Sequence, residues 1–207
     1  MKKPYRFICA ALCSLAIITQ YILFILAGEY GGFWAANLAF FGYFTILTNI
    51  AVALAFIAPF LNPKYFLHIF FMIADVRAAI TFYIFVVAVV YHLLLADIHN
   101  PTGLSAIINI GMHYLFPLLF IIEWVCFSPK QDLSYRRVPY WTIFPLVYGG
   151  FILIKGKLTG FYPYPFLNVN ELGGGIVALN MVGFVILYVL GGCFLTYLGR
   201  KMPPKTA

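Results

Sequence analysis

Six long apolar stretches constrain this chain more than any other feature of its sequence. A transmembrane helix needs roughly 20 mainly apolar residues. We predict six such spans, which are residues 7–27, 37–61, 74–95, 105–127, 138–155 and 174–198. Only 9% of the 207 residues are charged, against roughly 25% in a soluble domain. The sequence therefore predicts an all-α integral membrane protein, in which residues 1–207 form one transmembrane domain of six helices.

Three segments of the predicted membrane domain are less regular than the rest. The fifth span is the shortest and contains two prolines. Residues 65–72 are apolar but precede Asp75 and Arg77, so they form either an interfacial lead-in or the inner end of a tilted third span. The loop at residues 159–174 is rich in aromatic residues and contains two further prolines, which bar a regular helix.

Basic residues fall almost entirely on one side of the six predicted spans. Two of the 13, Lys155 and Lys157, lie on the sparse side. The other eleven are Lys2, Lys3, Arg6, Lys64, Arg77, Lys130, Arg136, Arg137, Arg200, Lys201 and Lys205. The positive-inside rule therefore places both termini in the cytoplasm. Because these cations lie at helix ends and not on one face, the net charge of +7 does not indicate a nucleic-acid partner.

No metal or cofactor is expected from the sequence. Cys9, Cys13, Cys126 and Cys193 lie inside or at the ends of spans without metal-ligand spacing, so we expect small apolar packing residues. No HExxH, CxxC, GxSxG or P-loop pattern occurs. Metalloprotease, redox, ordinary lipase and nucleotide-driven activities therefore have no motif support.

A histidine and a threonine inside the predicted spans indicate chemistry. His113 lies eight residues past Ser105 in the fourth span, and Thr45 lies eight past Asn37 in the second. Both residues are then roughly 12 Å below the outer ends of their helices. If the two spans pack together, a hydroxyl and a base meet in the outer half of the bilayer, as an esterase requires. The alternative is structural, since a buried threonine also bonds back to its own helix carbonyl.

Polar neighbours extend both positions into short stripes. Asn109 shares a helix face with His113, and Thr48 and Asn49 lie one turn after Thr45. The two asparagines are candidates to orient the pair or to bind an oxyanion. The alternative is that these side chains only hydrogen-bond neighbouring helices together.

Four more residues are candidates to line the same cavity, namely Tyr43, Tyr91, His92 and Glu123. His92 lies near the outer end of the third span, where an interfacial histidine is the alternative. Glu123 lies ten residues after His113, which is roughly 15 Å along a helix axis. We therefore expect Glu123 to pair with Arg77 or another inner cation and not to act as a catalytic acid.

Three sequence stretches together resemble one protein family. Residues 43–45 (YFT) resemble an aromatic-Leu-Thr segment, and residues 109–113 (NIGMH) resemble an Asn-His-Gly-Met-His run. Residues 159–167 (TGFYPYPFL) resemble an aromatic Thr-Gly loop that ends in Tyr-Pro-Phe-Leu. The family is that of the androgen-induced and androgen-dependent multi-span membrane proteins, which are intramembrane threonine hydrolases of fatty acid esters of hydroxy fatty acids.

This resemblance implies that Thr45 is the nucleophile and His113 the general base. It implies a long-chain lipid ester as the partner, no cofactor, and a compact relative in a bacterial cytoplasmic membrane. The sequence departs from the family at Ile110, where the run has its first histidine, and Thr48 is a rival nucleophile. The competing interpretations are a non-enzymatic lipid-binding protein or small transporter, and a structural subunit.

Overall fold

The computed structural model describes residues 2–130 and 132–203. Lys205, one of the eleven cations predicted on the cytoplasmic side, lies outside the described residues. The described residues form helices and their connecting loops and contain no strand. The α-helices are α1 (Lys2–Leu26), α2 (Phe33–Phe40), α3 (Phe44–Ile57), α4 (Phe66–Met72), α5 (Ala74–Val90), α6 (Gly103–Ile110), α7 (Phe116–Phe127), α8 (Ile143–Thr159) and α9 (Val169–Lys201). The 3₁₀ segments are Ala58–Phe60, Tyr135–Thr142 and Pro165–Leu167, and two π-helical turns occupy Tyr91–Leu95 and Gly111–Leu115.

By length and composition, five of the described helical segments are able to cross a membrane. The number rises to six when α2 and α3 are counted as one bent span. Because so many long apolar helices occur in one chain, it is an integral membrane protein. The predicted all-α membrane class is confirmed.

The single helix predicted for residues 37–61 is wrong. The chain bends by 74° between α2 and α3, at residues 41–43, which include a glycine that weakens a helix. Tyr43 is extended and forms the N-cap of α3. Thr45 therefore lies in the first turn of a new helix, and its depth cannot be counted along one straight helix from Asn37.

The apolar residues before the third span form their own helix. α4 is separated from α5 by Ile73, whose backbone is extended (φ −63°, ψ 130°). This break means that residues 65–72 do not continue the helix of the third span. It favours the alternative that they form an interfacial segment before that span. In the fifth span, Pro139 lies in the 3₁₀ segment and Pro145 in the first turn of α8, where its missing N–H breaks no helix bond.

The chain divides into two compact units. The first contains α1 to α7, in which α3 packs against α1 and α5, and α5 packs against α7. The second contains the 3₁₀ segment Tyr135–Thr142 with α8 and α9, and α9 packs against both. α9 kinks at Gly173, which has a positive φ of 75° that favours glycine. The single domain expected over residues 1–207 stays a prediction.

Candidate active site

The structure brings Thr45 and His113 together in the first unit. The Thr45 Oγ1 and the His113 Nε2 lie 3.4 Å apart. Thr45 is half-buried in the first turn of α3, and His113 is 8% exposed in the π-helical turn that joins α6 to α7. A hydroxyl thus lies at the outer limit of hydrogen-bond distance from an imidazole nitrogen, although 68 residues separate them in the sequence.

A proline explains the widened turn that carries His113. Pro117 lacks the N–H that would donate to the His113 carbonyl, and its ring crowds that carbonyl. The helix widens here, and the Phe116 N–H donates to the Gly111 carbonyl, five residues earlier. π-Helical turns are rare and frequently occur at functional sites.

The hydrogen bonds of His113 define which ring nitrogen carries the proton. The His113 Nδ1 lies 3.0 Å from the Asn109 carbonyl oxygen. A carbonyl only accepts, so we assign the hydrogen of the neutral ring to Nδ1. The Nε2 then has a free lone pair that faces the Thr45 hydroxyl. This is the arrangement that a general base requires.

Tyr91 and Asn109 hold the imidazole from a second side. The buried Tyr91 ring stacks on the His113 ring, with centroids 3.7 Å apart and planes 19° apart. The Asn109 Nδ2 donates to the Tyr91 hydroxyl at 2.6 Å. Tyr91 begins the other π-helical turn, so the two π-helical turns meet at this site.

Asn49 joins the helix of Thr45 to the turn of His113. Its Nδ2 donates to the Thr45 carbonyl at 2.9 Å and to the Met112 carbonyl at 3.3 Å. Because these bonds use both amide hydrogens, Asn49 serves as an orienting residue and not as an oxyanion donor in this geometry. Thr48 is fully buried, and its Oγ1 has no hydrogen-bond partner among the described residues.

The remaining predicted residues lie at the edge of this arrangement. Tyr43 caps α3, and its carbonyl accepts from the Ile46 N–H at 3.1 Å. His92 is exposed, and its Nδ1 lies 3.2 Å from the Tyr114 hydroxyl. His92 is therefore exposed beside Tyr114, in line with the interfacial alternative.

Glu123 belongs to a separate ionic cluster. Its fully buried carboxylate accepts from the Arg77 Nη2 at 2.6 Å and from the Arg6 Nη2 at 2.7 Å. The Arg77 Nε also donates to the Ser128 Oγ at 2.8 Å. The expected pairing of Glu123 with Arg77 is confirmed. The carboxylate is directed at two guanidinium groups and not at His113, and the role of Glu123 as a cavity residue stays a prediction.

Sequence reasoning missed the two π-helical turns and the stacking of Tyr91. The available signal was Pro117, four residues after His113. Within the described residues, no group of three His, Cys, Asp or Glu side chains is arranged to hold a metal. Cys9 and Cys13 are buried as expected, whereas Cys126 is exposed.

Comparisons of this chain with protein-family models, with curated proteins and with solved structures found no match.

Proposed function

We propose that this chain is an intramembrane hydrolase of long-chain lipid esters, with Thr45 as the nucleophile and His113 as the general base. One observation carries the proposal. The His113 Nε2 lies 3.4 Å from the Thr45 Oγ1, while the opposite ring nitrogen is occupied by a backbone carbonyl. The proposal places the chain with the androgen-induced and androgen-dependent hydrolases that it resembles, as a bacterial relative in the cytoplasmic membrane.

The first half of the reaction forms an acyl-enzyme. The Thr45 oxygen attacks the ester carbonyl carbon while its proton moves to the His113 Nε2. The tetrahedral intermediate then collapses, the bond to the alcohol oxygen breaks, and the His113 Nε2–H protonates the leaving alcohol. An ester of Thr45 with the fatty acyl group remains.

The second half returns the enzyme to its starting state. His113 takes a proton from water, whose oxygen attacks the acyl carbon and releases the fatty acid. The proton on Nε2 returns to the Thr45 oxygen. No step changes an oxidation state, and one water molecule is consumed for each ester hydrolysed.

Backbone geometry around Thr45 supports this chemistry. Thr45 lies in the first turn of α3, where the positive end of the helix dipole stabilises negative charge that develops on a reacting oxygen. Asn49 fixes the Thr45 backbone relative to the His113 turn through its two bonds. A nucleophile and base held at a set distance react faster, since less entropy is lost on reaching the transition state.

The surface beside His113 supports a lipid substrate. The exposed side chains on its helix are apolar or aromatic, including Ile110 (58% exposed), Leu115 (44%) and Tyr114 (41%). Such side chains on a membrane-spanning helix face lipid or other apolar groups. We propose that the acyl chain lies along this surface and that the ester enters sideways from the outer leaflet.

The proposed topology has six spans with both termini in the cytoplasm. The ionic cluster supports the alternation of the first four spans, because Arg6 near the start of α1 and Arg77 near the start of α5 both meet Glu123 near the end of α7. Reporter fusions after Gly103 and after Lys205, which lies beyond the described residues, should fall on opposite sides. Finding both reporters on one side would contradict the topology.

The decisive experiment is covalent labelling of the purified protein with a fluorophosphonate probe. We expect the wild type to be labelled and to hydrolyse a long-chain lipid ester. Thr45→Ala and His113→Ala should lose both properties. Thr48→Ala is the matched control, because Thr48 lies one turn away but is fully buried.

The controls distinguish the mechanisms. Labelling that survives Thr45→Ala but disappears in Thr48→Ala would move the nucleophile to Thr48. A wild type that is neither labelled nor active on lipid esters would remove the hydrolase proposal and favour the lipid-binding or transporter alternative.

A further inference from the structure

Four cations lie on two segments that come together at one end of the second unit. Arg136 and Arg137 lie in the 3₁₀ segment, and Arg200 and Lys201 end α9. All four side chains are exposed, and the two segments pack against each other. We refer to these four residues as the basic end. We propose that it binds the phosphate of an anionic phospholipid headgroup, independently of the hydrolase reaction.

Close packing holds the two segments in place. A Cβ on Gly192 would lie 2.7 Å from the Val138 Cγ1 and 3.1 Å from the Trp141 ring. Gly192 therefore lets the 3₁₀ segment approach the α9 backbone more closely than any other residue would allow. Val138 and Trp141 are both buried in this contact. The basic end is thus built from packed elements and not from a loose tail.

Aromatic rings restrict two of the cations. The Arg200 guanidinium lies 5.5 Å from the centroid of the Tyr135 ring, and the Lys201 ammonium lies 5.8 Å from that of Tyr197. A guanidinium held over a ring keeps its N–H edges available for a second partner, and its planar fork matches two oxygens of a phosphate. Cations that are already restrained lose less entropy when they bind.

Among the residues of the second unit, no acidic side chain lies at this end. Glu171 is the one acidic residue among residues 133–201 and lies in the first turn of α9, at the opposite end of that helix. Asp132 directly precedes the unit and offsets one of the four charges. Over these five residues, the basic end and Asp132, the net charge is 4 − 1 = +3.

A phospholipid is the occupant that fits this position. α9 is long and apolar enough to cross a membrane, so its charged end lies at the membrane surface, where headgroup phosphates are found. In the proposed topology this surface is the cytoplasmic leaflet, where each nearby Lys or Arg strengthens binding of anionic lipid by roughly fivefold. Exposed tyrosines such as Tyr135 and Tyr140 are also typical of this interface.

The test compares two variants that each remove three positive charges from the full-length protein. Arg136→Gln/Arg200→Gln/Lys201→Gln changes the basic end, and Lys2→Gln/Lys3→Gln/Lys64→Gln changes other predicted cytoplasmic cations. Each protein is reconstituted in nanodiscs of mixed phosphatidylcholine and phosphatidylglycerol. Mass spectrometry then measures the phosphatidylglycerol retained after extraction into detergent.

We expect the wild type and the lysine variant to retain phosphatidylglycerol over phosphatidylcholine. The basic-end variant should bind phosphatidylglycerol on the order of 100-fold more weakly. Equal losses in both variants would show general surface attraction and overturn the proposed site, as would a wild type without headgroup preference.

Two further measurements sharpen the assignment. Arg136→Lys/Arg200→Lys preserves charge but not the guanidinium fork, so a partial loss of phosphatidylglycerol is expected. The melting temperature in detergent should rise with phosphatidylglycerol and not with inorganic phosphate. An equal rise with inorganic phosphate would indicate a soluble anion and contradict the lipid assignment.

Discussion

The first unit contains two buried polar clusters whose geometry differs sharply. In the ionic cluster, Glu123 is fully buried and accepts bonds of 2.6 and 2.7 Å from Arg77 and Arg6. In the Thr45–His113 pair, the half-buried Thr45 hydroxyl lies 3.4 Å from the imidazole Nε2. The ionic contacts are at the short end for charge-assisted bonds, and the threonine contact is long even for an ordinary one.

This difference indicates two different roles. Opposite charges that are desolvated together hold helices in one arrangement, and removing either partner leaves a buried charge without compensation. A long hydroxyl–imidazole contact adds little stability, but it shortens readily as a substrate binds and the proton begins to move. The ionic cluster therefore should govern folding, and the threonine–histidine pair should govern turnover.

The largest effect should come from the pair itself. Replacing His113 with Ala should lower kcat by roughly 10²- to 10⁴-fold, because the base is lost, and Thr45→Ala should abolish turnover. Thr45→Ala should lower the free energy of unfolding by no more than about 1 to 1.5 kcal/mol, the net worth of an ordinary hydrogen bond. His113→Ala also removes a buried, stacked ring and should lower it by roughly 2 to 4 kcal/mol. Lipid-ester hydrolysis and denaturant unfolding in detergent measure the two quantities.

Thr45→Ser is the matched control because it preserves the attacking hydroxyl. It should retain activity, although at a reduced rate. A large loss of stability in Thr45→Ala would mean that this pair is structural, and the contrast with the ionic cluster would fail.

The opposite pattern is expected for Glu123→Ala. Two guanidinium groups lose their counter-charge, so unfolding should become easier by about 3–5 kcal/mol. Any folded protein that remains should keep its kcat, since Glu123 does not contact the pair. Glu29→Ala, at an exposed acid, should change stability by less than about 0.5 kcal/mol. A fully stable Glu123→Ala protein with lost activity would reverse the assignment.

The sequence predicts the membrane helices better than it predicts their irregularities. Hydropathy locates spans because a bilayer accepts little besides apolar helices. The bend at residues 41–43 was missed, since its flanking residues are apolar and nothing there interrupts the hydropathy. Thr45 and His113 were both named from the sequence and the resemblance. Their 3.4 Å approach was not derivable, because it depends on how α3 packs against the turn widened at Pro117.

Tyr91 offers a finer test of the pair. Tyr91→Leu removes the ring stacked on His113 and should lower kcat by roughly 10- to 100-fold through misplacement of the base. KM should change little, because this ring acts on the imidazole in our proposal and not on the substrate. Tyr91→Phe keeps the ring but not the hydroxyl that accepts from Asn109, so its loss should be smaller. A Tyr91→Leu protein that raises KM alone would make Tyr91 a substrate contact instead.

The smallest effect should come from Thr48→Val. Thr48 is fully buried, and its hydroxyl has no hydrogen-bond partner among the described residues. Valine has nearly the same shape, and removing an unsatisfied buried hydroxyl is close to neutral or stabilising, so stability should change by less than about 1 kcal/mol. Turnover should also be unchanged, because a buried hydroxyl without access cannot attack a lipid ester.

Lipid-ester hydrolysis and denaturant unfolding measure the turnover and the stability of Thr48→Val. The matched control is the isosteric change Thr45→Val, which should be inactive. An inactive Thr48→Val protein beside an active Thr45→Val protein would transfer the nucleophile to Thr48 and make the 3.4 Å contact incidental.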